Sequence, residues 1–158
     1  MNILAIGDIV GPEGLRYLRE QLPGLKKRLQ VDFCVVNGEN ASLRGVTGEQ
    51  AEEILSAGAD VVTLGNHTWD QLSITSAMER TGRVLRPANF PPQLPGRGWG
   101  VFPSPAGEVA VIDLAGRHGM DCTPDNPFLL VEHILEQLET NLILVEFHGE
   151  STAEKQAM

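Results

Sequence analysis

The sequence predicts an α/β protein in which strands and helices alternate along the chain. Two observations carry this prediction. Short apolar runs of strand length recur through the first half of the chain, and amphipathic helical patterns separate them. Strand–helix–strand order of this kind implies parallel pairing with right-handed crossovers. We therefore expect a mainly parallel sheet with helices packed against it.

Each element is predicted from its pattern of apolar residues and from the turn or capping residues beside it. The predicted elements are strand 2–7, helix 12–29, strand 31–36, helix 47–58, strand 60–64, a helix capped by Asp70, strand 83–85, an irregular loop over 87–98, a hairpin of 100–102 and 108–115, a helix opened by Asn126, and strand 142–147.

Three local signals refine these predictions. Pro23, followed by glycine, predicts that the first helix is kinked or split into two pieces. Thr47 and Gln50 form a capping box at the start of the second helix. Ser151 and Glu154 form another capping box only four residues before the sequence ends. We therefore expect residues 1–158 to be the N-terminal part of a single domain whose C-terminal part is absent.

Composition narrows the class of function. The 158 residues are 42% hydrophobic and carry a net charge of −9, which fits one globular domain and argues against sequence-independent binding to long nucleic acid. A small phosphorylated ligand is still compatible with this charge, because a metal ion can reverse the local field. No apolar run is long enough to span a bilayer, and no signal peptide is recognisable. We expect a cytoplasmic protein in which Cys34 and Cys122 are reduced.

Polar side chains follow four of the predicted strands. Asp8 follows the first strand, Glu39 and Asn40 the second, Asn66 the third and His148 the last. Ligands of open α/β sheets bind beyond the carboxyl ends of the strands. Carboxylate, amide and imidazole groups together suit iron, manganese or zinc. Two such ions can clamp the attacking and leaving oxygens of a phosphoryl displacement, and a single carboxylate can bridge them.

Each of these residues also has a purely structural interpretation. Asp8 is suited to a turn or a helix cap, Glu39 to a solvated loop, and His148 to a structural hydrogen bond. Asn40 and Asn66 are common turn residues, and His67 alone is equally uninformative. The joint pattern favours a metal site, because four strand ends all present ligand-type groups. Contacts of Arg86, Asn89 and Arg117 with phosphate and a structural role in the loops are both compatible with the sequence.

Several stretches resemble the calcineurin-like metallophosphoesterase superfamily, and within it the YmdB-like phosphodiesterases. The first motif lacks the histidine that usually follows the aspartate by two residues, and glutamate replaces aspartate at the bridging position, as in that branch. The resemblance covers residues 2–158, and its motifs are Gly7-Asp8-Ile-Val-Gly11, Asn37-Gly38-Glu39-Asn40, Gly65-Asn66-His67-Thr-Trp-Asp70, Arg86-Pro-Ala-Asn-Phe-Pro91 and Phe147-His148-Gly-Glu-Ser-Thr-Ala-Glu-Lys155.

The resemblance implies a calcineurin-like sheet with flanking helices, truncated after the strand that ends near Phe147. It implies that Asp8, Glu39 and Asn40 bind one divalent ion. It also implies that Glu39, Asn66 and His148 bind a second, with His67 as the proton donor. Iron or manganese is the implied metal, and phosphodiesters such as 2′,3′-cyclic nucleotides are the implied substrates.

The sequence departs from the family at one point. The family has a further glycine–histidine–x–histidine motif downstream, which is absent from residues 1–158. We therefore expect weak metal binding, poor turnover and an uncovered sheet surface, which a homo-oligomer could cover. Two alternatives stay open: a phosphomonoesterase or nucleotidase using the same site, and a nucleotide-binding regulatory protein with an incomplete metal site.

Overall fold

The computed structural model describes all 158 residues. The helices and strands are β1 (Ile3–Ile6), α1 (Gly11–Leu29), β2 (Phe33–Asn37), α2 (Gly48–Ala57), β3 (Val61–Thr63), α3 (Ile74–Thr81), β4 (Val84–Leu85), β5 (Trp99–Ser104), β6 (Gly107–Ala115), α4 (Pro127–Leu135), β7 (Leu142–His148) and α5 (Thr152–Ala157).

The strands form two sheets. The first sheet is parallel throughout, with strand order β1-β2-β3-β4, and the second has the order β5-β6-β7. In the second sheet, β5 and β6 form the predicted antiparallel hairpin, and β7 pairs parallel to β6. The predicted α/β class with parallel pairing in the first half of the chain is confirmed.

Apolar side chains fill three layers between the elements. The largest cluster lies between the first sheet and its helices and includes Leu22 and Ile54. Phe33 and Val111 belong to a second cluster that joins the two sheets. All five residues of β2 are buried, because helices cover one of its faces and the second sheet covers the other. A third cluster, including Ile134, joins the second sheet to α4.

The first helix corrects one prediction. Pro23 lies inside α1, which continues from Gly11 to Leu29 as one helix rather than as two pieces. Proline removes one backbone hydrogen bond from a helix interior. Because Pro23 is exposed, water can solvate the carbonyl that loses its partner. The buried face of α1, which includes Leu18 and Leu22, keeps the helix packed against the sheet.

Of the two predicted N-caps of α2 and α3, the first is confirmed and the second is wrong. The Thr47 capping box at the start of α2 is present in full, with reciprocal bonds to Gln50. The prediction that Asp70 caps the third helix is wrong, because α3 begins at Ile74 and Ser73 is its N-cap residue. A turn over residues 66–73 separates Asp70 from that helix, which leaves its carboxylate free for other contacts.

Strand β7 lies at an edge of the second sheet. Its side chains alternate, with Leu142 and Leu144 turned to the core while Ile143 and Val145 are 40% and 37% exposed. This is uncovered apolar surface of the kind that the sequence predicted. None of the helices combines the length and the apolar character that crossing a membrane requires.

Candidate functional site

The site lies where the carboxyl ends of β1, β2 and β3 meet the carboxyl end of β7. Backbone hydrogen bonds fasten the loop after β1 to the loop after β2. The amide of Ile9 donates to the carbonyl of Asn37 at 3.0 Å, and the amide of Gly11 donates to the carbonyl of Asn40 at 2.8 Å. His148 is the last residue of β7 and reaches this edge from the second sheet.

The five residues predicted as ligands form one connected set of contacts. Asn40 Nδ2 donates to Asp8 Oδ1 at 3.0 Å and to Glu39 Oε1 at 3.3 Å. His148 Nε2 lies 3.0 Å from Glu39 Oε1 and 3.0 Å from Asn66 Oδ1. The structure therefore brings together all of the strand-end side chains that the sequence singled out.

Glu39 is at the centre of this set. It is only 1% exposed, and its two carboxylate oxygens face different neighbours. Oε1 is the oxygen near Asn40 and His148, whereas Oε2 accepts a hydrogen bond from the backbone amide of His67 at 3.3 Å. A carboxylate with its two oxygens turned to two sides of a site is suited to the bridging position.

Gly65 provides the space that these contacts need. A Cβ atom at this position would overlap the Glu39 carboxylate and the ring of His148. The following turn is held by Thr68, whose Oγ1 donates to the Gly65 carbonyl at 2.6 Å. Glycine is therefore required here by the close approach of Glu39, from the loop after β2, and His148, from the end of β7.

The electrostatics of the site are dominated by buried carboxylate. Burial by itself lowers the pKa of His148, but the hydrogen bond and negative charge of Glu39, with smaller contributions from Glu146 and Asp8, outweigh it. The net effect is a pKa of His148 above its ordinary value. The neighbourhood therefore favours positive charge, which is the charge that a metal ion would also bring.

His67 lies beside this set with a carboxylate partner of its own. Its Nδ1 is 2.9 Å from Asp70 Oδ2, and its Nε2 is 3.3 Å from Asn66 Nδ2. Arg44 Nε donates to the same Asp70 oxygen at 2.6 Å. The Arg44 hydrogen bond is the largest contribution that lowers the pKa of Asp70, and His67 adds to it. An ionised Asp70 assigns a proton to Nδ1 of His67 and orients the ring.

Two acidic residues of the site were missed from the sequence. Asp70 was assigned to a helix cap, although its i,i+3 spacing from His67 is a signal for contact across one turn. Asp121 lies in the loop after β6, where its Oδ1 accepts from Asn66 Nδ2 at 2.7 Å. Asp121 Oδ2 is also 3.8 Å from Arg44 Nη2, so this loop and the loop after β2 approach each other over the site.

Arg86 and Asn89, for which the sequence left both phosphate contact and a structural role open, stabilise loops. The guanidinium of Arg86 is buried and donates to the carbonyls of Pro87 at 2.8 Å and Pro95 at 3.2 Å. Asn89 is also buried, and its Nδ2 donates to the carbonyl of Ala115 at 2.7 Å. Their donors are directed to backbone carbonyls, so the structural interpretation fits both residues.

The donor set fits a pair of divalent ions in its chemistry. Carboxylate and amide oxygens suit hard ions, and one imidazole adds a borderline nitrogen. Glu39 is buried with no lysine or arginine among its hydrogen-bond partners. No group of three or more His, Cys, Asp and Glu side chains is arranged to hold a metal ion. The predicted set depends on two amide side chains, Asn40 and Asn66, in addition to Asp8, Glu39 and His148.

The two-sheet α/β architecture with polar strand ends is that of the metallophosphoesterase fold. A sequence profile described as YmdB-like protein matches residues 4–158, and the chain belongs to this family. The resemblance noted from the motifs is therefore confirmed.

Individual relatives agree with this assignment. The chain is 38% identical to a 2′,3′-cyclic-nucleotide 2′-phosphodiesterase of Bacillus subtilis strain 168, over 100% of this chain and 61% of the relative. A crystal structure of a hypothetical protein from Thermus thermophilus has a TM-score of 0.91 at 36% identity, covering 99% of this chain and 61% of that one. A crystal structure described as a novel phosphatase from Mycoplasma pneumoniae has a TM-score of 0.87 at 28% identity, covering 98% and 57%. The chain thus spans about three fifths of the length of these relatives.

Proposed function

We propose that this chain carries most of the active site of a metal-dependent phosphodiesterase that hydrolyses 2′,3′-cyclic nucleotides. One observation carries the proposal: Asp8, Asn40, Glu39, His148 and Asn66 form a continuous set of contacts with His67 beside it. The 38% identity to a Bacillus subtilis 2′,3′-cyclic-nucleotide 2′-phosphodiesterase supports the substrate class.

Two divalent ions would be held at this edge of the sheets, with iron or manganese as the proposed metals. Asp8, Glu39 and Asn40 would hold the first, and Glu39, Asn66 and His148 the second. Bound there, the ions would polarise the phosphate and lower the pKa of a water molecule. Buried Glu39 fits the shared position, because its two oxygens face different sides.

His67 is the proposed proton donor. Proton transfer from a protonated imidazole to the ribose oxygen that leaves phosphorus keeps charge from building up on that oxygen. Asp70, 2.9 Å from Nδ1, fixes the ring, so that Nε2 would be the donating atom. Arg44 in turn holds Asp70 at 2.6 Å. The hydrogen bonds from Arg44 to Asp70 and between Asp70 and His67 would thus hold the ring of the proton donor in place.

Single-turnover hydrolysis of a 2′,3′-cyclic nucleotide in the presence of Mn²⁺ tests this proposal. The native chain should open the cyclic phosphodiester, and His67→Ala should slow this step by about 10²–10⁴-fold, the range for a positioned general acid. His133→Ala is the matched control, because His133 lies in α4 and its side chain is 70% exposed. Equal rates for the native chain and His67→Ala would refute the assignment of the donor.

A phosphomonoesterase is the second candidate, favoured by the Mycoplasma pneumoniae structure described as a phosphatase. A cyclic diester and the corresponding nucleoside monophosphate differ in charge and in leaving group, so one assay can compare them directly. We expect the cyclic diester to be hydrolysed faster than the nucleoside monophosphate releases free phosphate. The opposite order would favour the phosphomonoesterase.

Three further properties are proposed on the same basis. The preferred partner is a small phosphodiester rather than long nucleic acid, because the net charge is −9. The exposed face of β7, including Ile143 and Val145, is compatible with a homo-oligomer. A cytoplasmic location is the prediction from the sequence.

A further inference from the structure

The apolar core between the two sheets ends in a pair of carboxyl groups. Val109 and Val111 on β6 face the first sheet, and Leu142 and Leu144 on β7 pack beside them. Side chains on one face of a strand recur at every second residue. The next positions in these two rows are Asp113 and Glu146, which are register partners on the adjacent strands.

This carboxyl pair is hydrogen-bonded to the ends of β2 and β3. Asp113 Oδ2 accepts from the backbone amide of Leu64 at 3.0 Å, and Glu146 Oε1 accepts from Asn37 Nδ2 at 3.1 Å. Asn37 Nδ2 also donates to the carbonyl of Leu64 at 3.2 Å. Four strands are therefore tied together at one point.

The hydrogen-bond donors to this carboxyl pair are uncharged amide groups. Asp113 is fully buried, and the donors to the two carboxyl groups are the Leu64 backbone amide and Asn37 Nδ2. Three buried oxygens in this group lack a hydrogen-bond partner: Thr63 Oγ1, Asp113 Oδ1 and Glu146 Oε2. Burial, and secondly the charge of Glu146, raise the pKa of Asp113 well above its ordinary value.

Glu146 and the two hydrogen-bond partners of the pair each lie two residues before a proposed metal ligand. Asn37 precedes Glu39, Leu64 precedes Asn66, and Glu146 precedes His148 by two positions. Three proposed ligands are thus set from one buried point, although they come from strands of two different sheets.

We propose that Asp113 and Glu146 are positioning residues that fix the strand ends carrying Glu39, Asn66 and His148. This inference rests on the proposed function only in treating those three side chains as ligands. Groups that orient the ligands of a metal change its affinity without touching it. Asp113 is the residue to substitute in the test, because it lies in no loop that carries a proposed ligand.

Two substitutions of Asp113 separate positioning from packing. In Asp113→Asn, the amide oxygen can still accept from the backbone amide of Leu64, so this contact survives. Asp113→Val keeps a similar volume but removes it. Val109→Ala is the matched control for lost stability, because Val109 is buried in the same strand far from the site.

Hydrogen exchange in the metal-free protein provides the first measurement. Peptides covering 37–40, 64–67 and 146–149 should exchange faster in Asp113→Val than in the native chain or in Asp113→Asn. In the Val109→Ala control, these three peptides should exchange more slowly than the peptides that cover the rest of β6. Unchanged exchange in Asp113→Val, or equal acceleration in Asp113→Asn, would overturn the inference whatever the metal does.

Titration with Mn²⁺ alone provides the second measurement. Asp113→Val should weaken Mn²⁺ binding by about 10–100-fold, the range for a lost second-layer partner of a metal ligand, and Asp113→Asn should retain native affinity. Native affinity in Asp113→Val would overturn the inference. Absence of Mn²⁺ binding by the native chain would instead overturn the proposed metal site, and the exchange result would still decide the role of Asp113.

Discussion

Replacement of His148 by alanine should destabilise the metal-free protein because it strands a buried charge. His148 Nε2 is 3.0 Å from Glu39 Oε1, and Glu39 is 1% exposed. Breaking a buried ion pair by removing one partner costs about 3–5 kcal/mol. The His148 side chain is 19% exposed, so water can reach the vacated space, and we expect a cost near the lower end, about 3 kcal/mol.

Urea unfolding followed by circular dichroism, at pH 6 with a chelator present, measures this cost. For a chain of this size the same loss lowers the unfolding temperature by about 6–12 °C. Adding Glu39→Gln to His148→Ala removes the stranded charge and should recover part of the stability, with a coupling energy of about 0.5–3 kcal/mol. His133→Ala, at an exposed histidine, should change stability by less than about 0.5 kcal/mol.

The pH dependence of this cost has a definite sign. Because the folded-state pKa of His148 is raised, its pairing with Glu39 contributes fully below the ordinary histidine pKa of about 6.5. The contribution is lost as the pH rises through the higher folded-state pKa. A cost of His148→Ala below about 1 kcal/mol at pH 6, or a double variant less stable than His148→Ala, would contradict a buried ion pair between His148 and Glu39.

Three further predictions concern the surrounding residues. Asp70→Asn should lower kcat with little change in KM, and should add nothing in a His67→Ala background, because the two act as one unit; additive losses would contradict this. Arg86→Ala should lower the free energy of unfolding by about 1–3 kcal/mol, since buried carbonyls lose their donors; a change within about 0.5 kcal/mol in urea would contradict it. Gly65→Ala should abolish Mn²⁺ binding through overlap with Glu39, whereas Gly7→Ala, with no atom within 4 Å of the new Cβ, should not; equal binding by both would contradict the packing.

The main features of the fold and the grouping of the five proposed ligands could be predicted from the sequence. Alternating apolar strands and amphipathic helices imply parallel pairing, and parallel pairing brings the carboxyl ends of β1, β2 and β3 to one edge. Asp8, Glu39 and Asn66 could therefore be grouped without coordinates. Their role as ligands stays a prediction, as does the assignment of residues 1–158 to part of a single domain.

The contacts that depend on loop conformation could not be predicted. Arg44 reaches Asp70 and Asp121 from a loop with left-handed backbone at Leu43 and Gly45, a path that no periodic pattern encodes. Asp113 was visible only as an exception in an apolar run. Its partner Leu64 lies 49 residues away, directly after β3 of the other sheet, so only tertiary structure shows the contact.

The central claim is that five strand-end side chains hold two metal ions that share Glu39. Electron paramagnetic resonance of the chain titrated with Mn²⁺ tests this most directly, because two ions bridged by one carboxylate give a spin-coupled spectrum. We predict that coupled spectrum for the native chain, and its replacement by uncoupled or unbound Mn²⁺ in Glu39→Gln. Uncoupled Mn²⁺ in the native chain, or an unchanged coupled spectrum in Glu39→Gln, would contradict the account.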